Sequence, residues 1–291
     1  MSDPSEDDRP PSVGTLPYWH VDAFAARPFT GNQAAVIPLD SWLPDPVLLA
    51  IAEENNFAET AFLVPDETGA ADWELRWFTP ACEVALCGHA TLASGHVLLS
   101  SGGESGRGER VTFRTRRAGV LEVRRAGEGY ELALPLTRVE PRTNAALLAA
   151  LGAEGECYES VSGAEETAIV LLQDEAAVRA LSPDLRALGR IDLMAICTAP
   201  GDPEGSGADV VSRVFVPAWG VDEDSVTGSA HAALAPFWAE RLGRESFTAH
   251  QASRRGGDLT CRLAGSGSDE RAWIGGRCVT AVEGRFFLPP G

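Results

Sequence analysis

Two stretches of this chain repeat one another, and the repeat limits the fold more than any other feature. Arg76-Trp77-Phe78-Thr79-Pro80-Ala81 is matched by Arg213-Val214-Phe215-Val216-Pro217-Ala218. After each comes a short polar segment and then a small-residue turn opening an apolar helix, Cys87-Gly88-His89-Ala90 in the first copy and Thr227-Gly228-Ser229-Ala230 in the second. Two matched blocks in the same order indicate an internal duplication. Each block reads as strand, loop and helix N-terminus. Trp73–Phe78 and Val210–Val216 alternate as half-buried strands do, and the following proline ends each of them. Helices are expected over Ala90–Leu99 and Ala230–Leu242.

Short β-rich runs dominate elsewhere, among them Trp19–Phe24, Thr60–Val64, Ile191–Ile196 and Gly284–Leu288. Further helices are expected over Pro46–Glu54, Asn144–Leu151 and Glu175–Leu181. The pattern predicts an α+β fold of two similar halves, each a curved sheet around one central helix. With 291 residues and roughly 100–200 per domain, two domains are expected. They are placed at 16–130 and 131–282, with the last strand, 283–289, returning to the first. Residues 1–15, acidic and proline-bearing, read as a disordered tail, and Ser100–Arg110 as a flexible loop.

Composition removes several functions. The chain contains no lysine, so its 24 basic residues are all arginine. Schiff-base catalysis and lysine-dependent phosphate loops are excluded. The formal charge of −18 argues against nucleic acid and anionic membranes as partners. No apolar run is long enough for a membrane span, and the start lacks the pattern of a secretory signal. The six cysteines form no CxxC pair and the five histidines show no ligand spacing, so free thiols, no metal and a cytoplasmic location are expected.

Helix N-termini led by Gly88 and Gly228 offer unpaired N–H groups, and if the halves face each other both point into one cleft suited to a carboxylate. The same glycines are equally compatible with close helix packing alone. Glu59 opens an apolar strand, where partial burial raises a carboxyl toward the range useful for proton transfer, although strand-end glutamates are commonly solvated. Asp224 is either a functional carboxylate or a cap for the turn at Thr227. His89 is a cap or an acid/base, and His231 reads as structural.

The blocks Phe29–Val36 (FTGNQAAV), Ala58–Phe62 (AETAF), Phe78–Thr91 (FTPACEVALCGHAT), Glu223–His231 (EDSVTGSAH) and Gln251–Gly257 (QASRRGG) resemble the PhzF-like family of phenazine-biosynthesis isomerases. The resemblance spans about residues 18–288 in unbroken motif order. It implies the diaminopimelate-epimerase fold, a cleft between two pseudo-symmetric halves and a homodimer. It also implies cofactor-free proton transfer on a small carboxylate, in the named member an allylic isomerisation of a dihydro-hydroxyanthranilate. On this resemblance Glu59 is the acid/base, while His89, Asp224 and Ser229 orient the substrate. Gly88, Ala90, Thr227 and Gly228 contact it. Gln33 and Ser225 stand where that family usually has proline, and Ala85 where aspartate is frequent, which bears on the substrate rather than on the chemistry.

Two rival readings remain. A same-fold epimerase or racemase works with two opposed cysteines; Cys87 occupies the first position but Thr227 the second, and a threonine hydroxyl is no base at neutral pH. A non-catalytic small-carboxylate-binding protein would keep the cleft without the acid/base set.

Overall fold

The structure, a computed structural model, describes residues 14–100, 108–162 and 166–288. The expected tail lies outside these residues apart from its last two positions, and Thr15 already begins a strand. Most of the expected loop at 100–110 lies outside them as well.

The first half contains β1 (Thr15–Ala23), β2 (Asn32–Pro38), α1 (Asp45–Asn55), β3 (Glu59–Pro65), β4 (Trp73–Phe78), β5 (Glu83–Val84), α2 (Gly88–Ser100), β6 (Arg110–Thr115), β7 (Val120–Ala126) and β8 (Gly129–Pro135). The second opens with β9 (Val139–Arg142), α3 (Ala145–Leu151), β10 (Glu156–Ser160), β11 (Thr167–Leu171), α4 (Glu175–Ala180), α5 (Leu185–Leu188) and β12 (Met194–Pro200). It continues with β13 (Val210–Val216), β14 (Val221–Asp224), α6 (Gly228–Leu242), β15 (Ser246–Gln251), β16 (Gly257–Ala264), β17 (Arg271–Gly276) and β18 (Cys278–Phe287).

The order of pairings occurs twice. β2 runs parallel to β3, β3 antiparallel to β4, and β4 parallel to β6, after which β6, β7 and β8 form an antiparallel meander. Likewise β11 is parallel to β12, β12 antiparallel to β13, and β13 parallel to β15, followed by the meander β15–β16–β17. Parallel neighbours need a long crossover, and the crossovers are what carry α1, α2, α4, α5 and α6. The halves meet where β8 pairs with β17, while β18 pairs along the whole of β1. The repeat keeps β8 in the first unit, so we infer a division after Pro135, between β8 and β9, rather than at residue 130, with the final strand belonging to the first unit.

α2 is apolar or small on all sides, and ten of its 13 residues are buried, as befits a helix enclosed by sheet. It touches β1, β2, β3, β6, β7 and β8. Its two buried hydroxyls are satisfied within the helix, Thr91 donating to the Cys87 carbonyl and Ser94 to that of Ala90. One apolar cluster includes residues of both α2 and α6, such as Leu92, Val97, Leu234 and Phe237. Among the described residues no helix is long and apolar enough to cross a membrane.

Three expectations need correction. The strand expected at Ile191–Ile196 starts at Met194, because residues 190–193 close the turn after α5 through bonds such as Ile191 N–H to Leu188. The last strand begins at Cys278 rather than near residue 283, with an irregularity opposite His20/Val21 that lets it follow β1 throughout. β2, β5, β9, β10, β14 and β15 have no counterpart among the expected strands; β2 is buried on both faces and so lacks alternation.

Gly95 seats α2 on the sheet: a Cβ there would lie 2.8 Å from Val123 Cβ. Gly95→Ala is expected to cost about 1–3 kcal/mol by overpacking in urea unfolding. Gly284→Ala, with nothing within 4 Å of the added atom, is expected to stay within about 0.5 kcal/mol. Equal effects at both positions would contradict this seating.

Candidate active site

Parallel pairing with β2 sets the position of Glu59, which stands opposite Ala34 at the start of β3. Its side chain is 18% exposed and lines a cavity of about 430 Å³ together with Cys87, Gly88, His89, Asp224, Thr227 and Gly228. Oε2 lies 3.2 Å from His89 Nε2. That N–H is directed at the Gln33 carbonyl, also 3.2 Å away, so Oε2 is buried without a hydrogen bond. Among the described residues only Trp77 Nε1 shares that condition. Burial pushes the Glu59 carboxyl above its ordinary range; His89 and the Cys87 thiol oppose the rise, and the Asp224 charge adds to it.

The His89 tautomer follows from its neighbours. Nε2 faces a carbonyl and so carries the proton, which leaves Nδ1 as the acceptor, 3.5 Å from the Cys87 sulfur. The Asn32 amide nitrogen, 3.1 Å from Nδ1, spends its two hydrogens on Asp224 Oδ1 at 2.8 Å and the Val226 carbonyl at 2.9 Å. Cys87 is buried, and desolvation followed by the Glu59 charge holds its thiol well above the usual range. Glu59, Cys87 and His89 place ligand-type atoms within 4.8 Å of one another, but both His89 nitrogens already have protein partners, and ligation would break one of those bonds.

Asp224, at the end of β14, is fully engaged. Oδ1 also accepts from the Ser225 N–H at 2.9 Å, and Oδ2 from the Thr227 hydroxyl at 2.6 Å. A proline at 225 would lack that N–H. The Thr227 hydroxyl, turned to Asp224, does not cap α6. The N–H groups of Gly228 and Ser229, which their own helix cannot satisfy, are thus left without that cap, and both residues line the cavity. Gln251 is buried and fastens this corner, accepting from the Thr227 N–H and donating to the Asp224 carbonyl.

The two helix N-termini meet. A Cβ on Gly88 would stand 3.1 Å from Gly228 Cα, and one on Gly228 would stand 3.2 Å from Gly88 Cα. Matching clamps hold the strands that lead into them. Arg76 makes a two-pronged pair with Glu83 and Arg213 with Glu223, at 2.7–2.9 Å. Each guanidinium also lies 4.9 Å above its own block's phenylalanine ring, Phe78 or Phe215. Across the cleft, Gly31 N–H donates to the Gly256 carbonyl, and Arg255 reaches back to buried Asp22 and to the carbonyls of Thr30 and Gly31.

The repeat assigns counterparts. Cys87 corresponds to Thr227, His89 to Ser229, and Glu59, first in its parallel register, to Met194, which holds that place opposite Thr167. The structure thus brings Glu59, His89, Gly88, Asp224, Thr227, Gly228 and Ser229 to one cavity. Ala90, expected beside the substrate, is instead fully buried in the core, with its N–H toward the Cys87 sulfur. His231 is structural as expected: it is buried, hydrogen-bonded to the Thr227 carbonyl, and lowered to about 4 by desolvation. Asn32 and Gln251 escaped residue-level reading; both lie in blocks of the family resemblance, the one signal that marked them.

Residues 21–284 match the model of the phenazine biosynthesis-like protein family, PhzC-PhzF. An uncharacterized isomerase of Pseudomonas aeruginosa is 46% identical, with 94% of this chain and 99% of that protein covered. The crystal structure of a phenazine biosynthesis PhzF-family protein from Enterococcus faecalis superposes with a TM-score of 0.82 at 40% identity, covering 94% of this chain and all of that one. A hydroxyproline epimerase from Agrobacterium vitis with trans-4-hydroxy-L-proline bound shares the fold alone, with a TM-score of 0.62 at 14% identity over 96% of this chain and 93% of that one.

Because Glu59 binds its proton more tightly folded than unfolded, that proton adds stability which is complete below the ordinary value of 4.5. This stability is lost as the pH rises through the raised native value. Glu59→Gln stays neutral, so wild-type stability minus that of the variant is expected to fall as the pH rises above the ordinary value of 4.5 in urea unfolding. A flat difference would contradict the burial of this carboxyl.

Proposed function

The chain belongs to the phenazine biosynthesis-like PhzC-PhzF family, and from that premise we propose that it is a cofactor-independent isomerase moving a proton between carbons of a small unsaturated or cyclic carboxylate. The observation that carries this reading is Glu59, a carboxylate with one oxygen buried without a hydrogen bond, lining a cavity that Gly88 and Gly228, at two helix N-termini, also line. The substrate carboxylate is taken by the uncapped N–H groups of Gly228 and Ser229 and the facing start of α2, where partial positive charge favours an anion. Ionised Glu59 removes a proton from carbon conjugated with that carboxylate. The C–H electron pair moves into the conjugated system, and negative charge builds on the carboxylate oxygens at the helix ends. Glu59 then returns the proton to a second carbon, and the double bond has moved.

When Glu59 ionises, the His89 Nε2–H, held on the Gln33 carbonyl in this structure and 3.2 Å from Oε2, turns to the carboxylate and steadies its charge. Asp224, with its oxygens already engaged, positions Asn32 and Thr227. The counterparts favour one base over two. Opposite Glu59 stands Met194 and opposite Cys87 stands Thr227, so neither pair offers the second titratable group that a two-base epimerase requires. A homodimer in the cytoplasm belongs to the same reading, and sedimentation tests the dimer.

The deciding experiment incubates the protein with cyclic and linear unsaturated carboxylates in deuterated water and follows label at carbon by NMR. On an accepted substrate Glu59→Gln is expected to lose about 10²–10⁴ in rate with the fold retained, Asp224→Asn to lose less, and His89→Ala to weaken binding as well. Glu59→Gln keeping more than about a tenth of the rate would remove the shuttle role, given that scale.

A further inference from the structure

Beside the reaction cavity lies a second one of about 450 Å³. The two have Ala85, Leu86, Met194 and Ser229 in common. Its inner surface is largely apolar, with Ala118, Leu134, Leu136 and Ala232, and Arg117 is its one charged lining residue. Beside Leu86, three of the four side chains in the common wall yield easily. Ala85 and Ser229 are small, and Met194 is an unbranched thioether that adapts its shape. Met194 is also the counterpart of Glu59, so where the first half places its carboxylate the second has an uncharged, movable side chain leading out of the reaction cavity.

We propose that the two cavities are one substrate site, with the second receiving an apolar arm of the substrate past Met194. The substrate class is then a carboxylic acid carrying an extended hydrocarbon or aromatic substituent, rather than a compact acid filling the first cavity alone. The acid end rests on the proposed function. The arm rests on the adjoining cavity and its lining. A compact substrate would leave this apolar space beside the reacting carbons wetted; an arm fills it and removes water from the neighbourhood of Glu59.

The test is calorimetric binding of straight-chain monocarboxylates from acetate to decanoate, alongside primary alcohols of equal length. Once the tail passes Met194, affinity for the acids is expected to climb about fourfold per methylene, until the second cavity is full. Two variants at positions lining only that cavity, Ala118→Phe and Leu136→Asp, are expected to remove the climb while acetate and butyrate bind as before. Near-UV circular dichroism establishes that each is folded, and either one suffices. Short acids that bind without any gain from length would overturn the arm and leave the carboxylate grip standing. Alcohols and acids climbing alike, with no short acid bound, would support the arm and overturn the grip. A climb unchanged in both folded variants, or no binding at any length, would overturn the proposal.

Discussion

Two helices meet here with their positive ends facing, and the remainder of the site answers that arrangement. The contact is backbone to backbone at Gly88 and Gly228, close enough that a single methyl group would force them apart. Like ends of two dipoles repel, while each favours a negative charge beside it by about 0.3–1 kcal/mol. The chain supplies Glu59 and Asp224 at that point and withholds the Thr227 hydroxyl as a cap. Facing helix ends that repel each other suit an anion placed between them, which is what the proposed function asks of this corner. The Arg76–Glu83 and Arg213–Glu223 clamps and the Arg255–Asp22 lock make the approach rigid, so helix ends and carboxylates stand in place before any ligand arrives.

Much of this was legible in the sequence because the duplication wrote it twice. The arginine of each repeated hexamer must reach the glutamate five residues ahead of its glycine turn, and that need preserves both the arginine and the strand that carries it. The glycines were legible for a similar reason, since only the smallest residue fits where helix ends touch. Glu59 was not legible by pattern: its burial comes from β2, Cys87 and His89, which are distant in sequence. Asn32 and Gln251 were silent as well, because a buried amide bridging two segments has no periodicity of its own. Ala90, assigned to the substrate only through the family resemblance, has its side chain buried in the core.

The two halves keep one architecture and have divided its chemistry. The first retains the carboxylate and its imidazole, the second the uncapped helix and the aspartate that diverts the cap. At three equivalent pairs the titratable member lies in the first half, Glu59 against Met194, His89 against Ser229 and Cys87 against Thr227, whereas Asp224 in the second half stands where the first has Val84. The duplicated scaffold thus encloses a site whose two walls are chemically unlike.

Unlike walls have a stereochemical result. If Glu59 alone carries the proton, as proposed, with a thioether at the equivalent place in the other wall, removal and return must cross the same face of the substrate's π system. The transfer is then suprafacial, and the handedness of any new centre follows from which wall holds the acid.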